Sequence, residues 1–203
     1  MVAVIDYNAG NIRSVLYALE RIGVSHELTA DPAKIRAADK VIFPGVGAAA
    51  STMAHLNDTG MADVIRSLTQ PVFGVCVGMQ LLCSHSEEGD TPCLGIFPER
   101  VKLFRPVNGE KVPHMGWNDI QLTPQNDWVG QGSEGGYCYY VHSYYVEPGE
   151  ATSATTRYCG VDFAAMMRRG NFYAAQFHPE KSALVGEGIL RDFLAGTQGK
   201  GNS

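Results

Sequence analysis

The chain has 203 residues, 45% of them hydrophobic, and a formal net charge of −5 at pH 7. That length supports one domain with a sizeable core, and an acidic balance with no basic cluster beyond Arg168-Arg169 argues against nucleic acid as the main partner. Nothing approaches the length of a membrane span or reads as a targeting signal, and five cysteines without close metal-ligand spacing suit a reducing cytoplasm and no metal.

In chain order, residues 2–5 read as a strand, and Asp6 to Asn11 form a turn. Ile12, Val15, Leu16, Leu19 and Ile22 then make a helical stripe that ends at Gly23. Strands over 26–28, 41–43 and 72–75 follow, with helical patterns beginning at Asp31 and spanning 51–68. The alternation predicts a parallel sheet covered by helices, an α/β fold. From about 94 to 177 the pattern becomes β-rich with Pro, Gly and Asn turns, which predicts antiparallel strands and loops added to the same sheet. A helix over 182–194 closes the chain. Residues 1–196 are expected to form one domain and 197–203 a flexible tail.

The strand over 72–75 ends at Gly74-Val75-Cys76-Val77-Gly78 and restarts as the helical Met79-Gln80-Leu81-Leu82. Such a strand-to-helix elbow exposes its central side chain on a sharp, strained turn, and glycines beside it let strand, helix and substrate approach closely. The helix that follows points its unpaired N–H groups toward the sulfur, which suits a nucleophile. Glycine is frequent here, 23 of 203 residues, so a structural cysteine fits the motif alone equally well.

His178-Pro179-Glu180 changes that balance. In an extended strand residues i and i+2 face one side, so a strand through 171–177 would present His178 and Glu180 together. A carboxylate beside an imidazole fixes its tautomer and stabilises the imidazolium, completing the order nucleophile, base, orienter. Pro44-Gly45-Val46-Gly47, at the end of another predicted strand, can aim backbone N–H groups at a developing oxyanion, or serve simply as a tight connection.

These three segments together resemble the class I (triad-type) glutamine amidotransferases over nearly the whole chain. The Asp6-Tyr7-Asn8-Ala9-Gly10-Asn11, Pro113-His114-Met115-Gly116-Trp117-Asn118 and Phe177-His178-Pro179-Glu180-Lys181-Ser182 stretches are similar to the glutaminase subunits of imidazole glycerol phosphate synthases. Two positions depart from that pattern: Asn8 stands where glycine is usual, and Val77 where leucine is usual.

The resemblance implies a three-layer fold with a flavodoxin-like, mostly parallel central sheet. It implies Cys76, His178 and Glu180 as catalytic residues and the N–H groups of Val77 and of Gly45 or Val46 as the oxyanion hole. Gln80, His142, Ser143 and Tyr144 would contact glutamine. No cofactor is needed. Ammonia would pass to a cyclase subunit, forming imidazole glycerol phosphate and AICAR in histidine biosynthesis, in a heterodimer docked through Asn8, Asn11, Trp117 and Lys181. Glycine on both sides of Val46 suggests a peptide that turns its N–H toward the site only when the partner is loaded. The competing readings are a glutaminase subunit of another amidotransferase, a non-catalytic interaction subunit, and a thiol-dependent hydrolase or redox protein.

Overall fold

The computed structural model describes residues 1–7, 12–45, 47–107 and 109–196. Asn8, Asn11, Val46 and the expected tail at 197–203 therefore lie outside the described residues.

The first half alternates β1 (Val2–Ile5), α1 (Arg13–Ile22), β2 (His26–Thr29), α2 (Pro32–Ala37), β3 (Lys40–Phe43), α3 (Ala49–Asp58), α4 (Met61–Arg66), β4 (Val72–Val75) and α5 (Val77–Leu82). Strand side chains alternate between faces, and here both faces are apolar. Ala3, Ile5, Val41 and Phe43 join one buried cluster with Ile35, Met53, Leu56, Ile65 and Leu81, while Val2, Val4, Ile42 and Phe73 join a second with Val15, Leu19 and Phe193. A strand apolar on both sides is stable only between two helical layers, so α2 to α5 cover one face and α1 the other. Asp31 caps α2 by accepting from the N–H of Ala33 at 2.8 Å, with Pro32 in the first turn. The single helix expected over 51–68 is two helices. Gly60, at φ +72°, turns the chain through the left-handed region between α3 and α4, a conformation the apolar periodicity does not register.

The second half adds β5 (His85–Ser86), β6 (Thr91–Pro92), β7 (Arg100–Leu103), β8 (His114–Asp119), β9 (Gln121–Leu122), β10 (Tyr137–His142), β11 (Tyr144–Val146), β12 (Thr152–Tyr158), β13 (Val161–Arg169) and β14 (Phe172–Ala175), and closes with α6 (Ala183–Ala195). The main sheet has eight strands in the order β2-β1-β3-β4-β14-β13-β12-β9, parallel from β2 to β14 and antiparallel beyond. The antiparallel segments do not all extend this sheet, as the composition suggested. Only β9, β12 and β13 do; β8 pairs with β10, and β11-β7-β5-β6 form a third sheet. Helix α6 packs beside α1, where Phe193 stacks on Phe73 at 5.0 Å and Trp128 meets Phe73 edge-on at 5.9 Å. Arg168-Arg169 ends β13 at a turn through Gly170 but is anchored, Arg168 to Asp127 at 2.6 Å and Arg169 to the carbonyl of Ile96 at 2.8 Å. Among the described residues no helix is long and apolar enough to cross a membrane.

Candidate active site

Open parallel sheets place ligands beyond the carboxyl ends of their strands. Three adjacent strands, β3, β4 and β14, end there on Pro44-Gly45, Cys76 and the Gln176-Phe177-His178 segment.

Cys76 sits at φ +53°, ψ −112°, a strained conformation for a residue with a side chain, held by its N–H donating to Ala175 O at 2.8 Å and its carbonyl accepting from Gln80 N–H at 3.2 Å. The turn is tight because the β3 end presses on it. A Cβ on Gly45 would stand 2.0 Å from Gly78 N and 2.4 Å from Val77 N, and one on Gly78 would stand 2.3 Å from Phe43 O. Val77 and Gly78 open α5, so their N–H groups have no acceptor within the helix. Gly45 lies against both, and Tyr7 Oη fixes the preceding Pro44 carbonyl at 2.6 Å. Val46, the other expected donor, is not among the described residues.

His178 Nδ1 donates to Glu180 Oε1 at 2.9 Å, both side chains being more than nine-tenths buried, which leaves Nε2 to face the thiol of Cys76. The two residues do not meet as i and i+2 of a strand. His178 is extended, but Pro179 to Lys181 form a 3₁₀ turn that folds Glu180 back onto the ring. Ser182 locks this turn by donating to the His178 carbonyl at 2.7 Å while accepting the Tyr139 N–H at 2.9 Å, and His178 N–H donates to Tyr139 O at 2.9 Å. Burial by itself lowers the imidazole pKa. The hydrogen bonds and negative charge of Cys76 and Glu180 outweigh that and raise it above the ordinary histidine value.

A second polar assembly lies under the nucleophile. Gln80, buried on α5, donates its side-chain Nε2 to Tyr144 O at 2.9 Å and to Gln176 Oε1 at 3.0 Å, and Gln176 Nε2 points at Cys76 Sγ at 3.8 Å. Tyr144 O also accepts from His142 Nδ1 at 2.7 Å, so the His142 Nε2 accepts from His114 Nδ1 at 3.0 Å. Burial lowers the pKa values of both imidazoles, to about 4 for His114 and about 3 for His142, which favours the neutral rings this donor–acceptor chain requires.

A cavity of about 290 Å³ opens over Cys76. Its walls include Val77, Gln80, His142, Ser143 and Tyr144, all expected from the sequence, together with Gly47, Pro113, Val141 and Glu88. The Gln80 amide protons and the His142 ring nitrogens are spent inside the protein. Glu88 was not legible: it falls in the polar turn between β5 and β6, and its Oε2 is held at the cavity by accepting the Ala49 N–H at 2.8 Å. Gln176 left one signal, a lone amide in an otherwise apolar stretch, which must find partners if buried.

The glutamine amidotransferase class-I family model matches residues 3–196. The chain belongs to the class I glutamine amidotransferases. Among curated relatives it is 55% identical over 194 residues to the imidazole glycerol phosphate synthase subunit HisH of Bacteroides thetaiotaomicron, covering 95% of this chain and 98% of the relative. The HisH subunit of Idiomarina loihiensis is 48% identical over 193 residues, covering 95% and 96%. Two solved structures share the fold at low identity. A glutamine amidotransferase has TM-score 0.73 at 20% identity, covering 96% of this chain and 98% of that one. A glutamine amidotransferase from Thermotoga maritima has TM-score 0.66 at 14% identity, covering 95% of each chain.

In this glutamine amidotransferase the outer face of the β8–β10 ribbon is apolar and open. Met115, Trp117 and Tyr137 point outward, Trp117 being 53% exposed, and the neighbouring Leu184 is also exposed. Trp117 meets the Tyr139 ring edge-on at 6.0 Å, and Lys181 Nζ lies 6.0 Å from the same ring. The expected partner residues Trp117 and Lys181 thus share one surface patch; Asn8 and Asn11 are outside the described residues.

Proposed function

We propose that this chain is the glutaminase subunit of an imidazole glycerol phosphate synthase, hydrolysing glutamine to glutamate and ammonia through Cys76, His178 and Glu180. The observation that carries the reading is the Cys76 elbow, which lines a cavity and is backed by the buried His178–Glu180 pair.

The thiol of Cys76 passes its proton to Nε2 of His178, and the sulfur attacks the side-chain carbonyl carbon of glutamine. The carbonyl electron pair moves onto oxygen, where the Val77 N–H stabilises it, joined by an N–H from the Gly45-Val46 turn. When the tetrahedral species collapses, its nitrogen takes the His178 proton and leaves as ammonia, and a thioester remains on Cys76. Water then gives a proton to His178 and adds to the thioester carbon. The carbon–sulfur bond breaks, glutamate departs, and the proton returns to sulfur. A raised His178 pKa suits this cycle because the imidazolium must persist between accepting and delivering the proton. Glu180 holds the ring and its charge.

For the amino-acid end of glutamine, Glu88 supplies a carboxylate for the ammonium group, and Ser143 and Tyr144 supply backbone and hydroxyl groups. Gln80 and His142 shape this wall from behind. The cyclase subunit is proposed to dock on the patch around Trp117, Tyr139 and Lys181, since His178 hydrogen-bonds to Tyr139 and Cys76 Sγ lies against the Val141 carbonyl of the same strand.

Glutamate release by this chain, mixed with a cyclase subunit in the presence of its phosphoribosyl substrate, tests the reading beside a Cys76→Ala control. Release that depends on the partner and vanishes in the control is the expected result. An intact complex that releases no glutamate assigns the chain a non-catalytic role.

A further inference from the structure

Gln176 is fully buried at the end of β14. An amide there is costly unless its donors and acceptor are used, and its hydrogen bonds fix which way it faces. Tyr144 O is a carbonyl and can only accept, so it must be met by the Gln80 amide nitrogen, at 2.9 Å. That nitrogen also lies 3.0 Å from Gln176, so Gln176 must present its oxygen there and turn its own NH₂ group toward Cys76 Sγ, 3.8 Å away. The sulfur therefore has two donors when it is a thiolate, the His178 imidazolium and the Gln176 amide. The carbonyl of Val141, 3.9 Å from Sγ, faces it as an acceptor.

We propose that Gln176, held by Gln80, is a second hydrogen-bond donor to the Cys76 thiolate, stabilising the sulfur anion before attack and when it leaves the thioester. This rests on Cys76 being the nucleophile proposed above. The bond strengthens only with charge on sulfur. A neutral thiol or thioester accepts weakly, so the effect belongs to the steps in which the sulfur is an anion.

Two variants of the full chain separate donation from packing. Gln176→Met keeps the volume without a donor, and Gln176→Glu keeps an acceptor for Gln80 but removes the amide N–H. The rate of Cys76 alkylation by iodoacetamide is followed against pH, with Cys76→Ala as the blank. Both variants are expected to move the alkylation midpoint up by about one pH unit, and to lower kcat about tenfold with KM little changed. A shift in Gln176→Glu alone would be an effect of the new charge, and unchanged profiles in both would also overturn the proposal. The wild-type chain gives a reading that needs no Gln176 variant to fold. The side-chain NH₂ signals of Gln176 in a ¹⁵N NMR titration should move at the alkylation midpoint and lose that movement in Cys76→Ala. An unresponsive NH₂ group excludes the bond. Glutaminase activity surviving in Cys76→Ala would instead sink the nucleophile assignment, a failure the alkylation and NMR readings are independent of.

Discussion

At the scale of single residues, the neighbours of His178 favour the charged form of its ring. Burial works against the imidazolium, while Cys76 and Glu180 favour it and win. Removing either partner should therefore lower the His178 pKa. In Cys76→Ala and Glu180→Gln, the imidazole signals in an NMR titration are expected to titrate at lower pH than in the wild type, and an unshifted midpoint would show that the partners do not act on the ring. A raised folded pKa gives stability that is complete below the unfolded value and lost as pH rises through the folded one, so each variant should lose this contribution at lower pH. His114 and His142 behave in the opposite sense. Their folded values, about 4 and about 3 against an ordinary 6.5, give stability that is complete above pH 6.5 and lost as pH falls from there toward 4 and 3. The urea midpoint should fall across that window. His142→Gln, which can still donate to Tyr144 O and accept from His114, should flatten the fall; an identical slope would exclude the pair as its source.

At the scale of elements, the elbow depends on β3 and α5 touching through glycine. Where β3 and α5 touch, an added methyl group would meet backbone. At Gly45 and Gly78 it would meet backbone nitrogen or carbonyl oxygen at 2.0 to 2.3 Å, whereas at Gly74 it would meet the end of the Leu82 side chain at 2.7 Å. Backbone cannot rotate aside as a side chain can. Gly78→Ala is therefore expected to cost about 3 kcal/mol, the upper end for overpacking, and Gly74→Ala clearly less, as read from chemical denaturation midpoints at pH 7. Equal losses at both positions would mean that β3 and α5 are free to separate. The 3₁₀ turn after His178 is the other element on which the site depends, because Ser182 ties both its carbonyl and the N–H of Tyr139. Ser182→Ala should loosen the His178–Glu180 geometry and lower kcat about tenfold, roughly 1.4 kcal/mol in the barrier, while KM for glutamine stays close to wild type.

At the scale of the molecule, the question is what covers the open ribbon of β8 and β10. Aromatic side chains with a neighbouring cation make effective interface anchors. Trp117→Ala should weaken binding to a cyclase subunit by about 2 kcal/mol, roughly thirtyfold, as expected of such an anchor. Because the side chain is half-exposed, the melting temperature of the free chain should hardly change. Calorimetric titration and a thermal melt together decide this: unchanged affinity moves the docking surface elsewhere, and a large fall in melting temperature makes Trp117 a core residue.

Much of this molecule was legible as one dimension. The apolar runs of β1, β3 and β4, the helical stripe of α1 and the glycine-flanked Cys76 are local patterns, set by side-chain period and by the backbone freedom of particular residues. They carried the α/β class and the nucleophile candidate. Where the reading failed locally, at Gly60 and at the 3₁₀ turn holding Glu180, a backbone conformation had replaced the regular period assumed for it. What only the tertiary structure decided was adjacency. Gln176 reaches Cys76 across 100 positions of chain, Gln80 reaches Tyr144 across 64, and Glu88 reaches the cavity through Ala49, 39 positions back. No local period encodes such contacts, because they arise from the order in which crossovers lay β3, β4 and β14 side by side, and only that order brings their ends, and the charges and donors they carry, into one site.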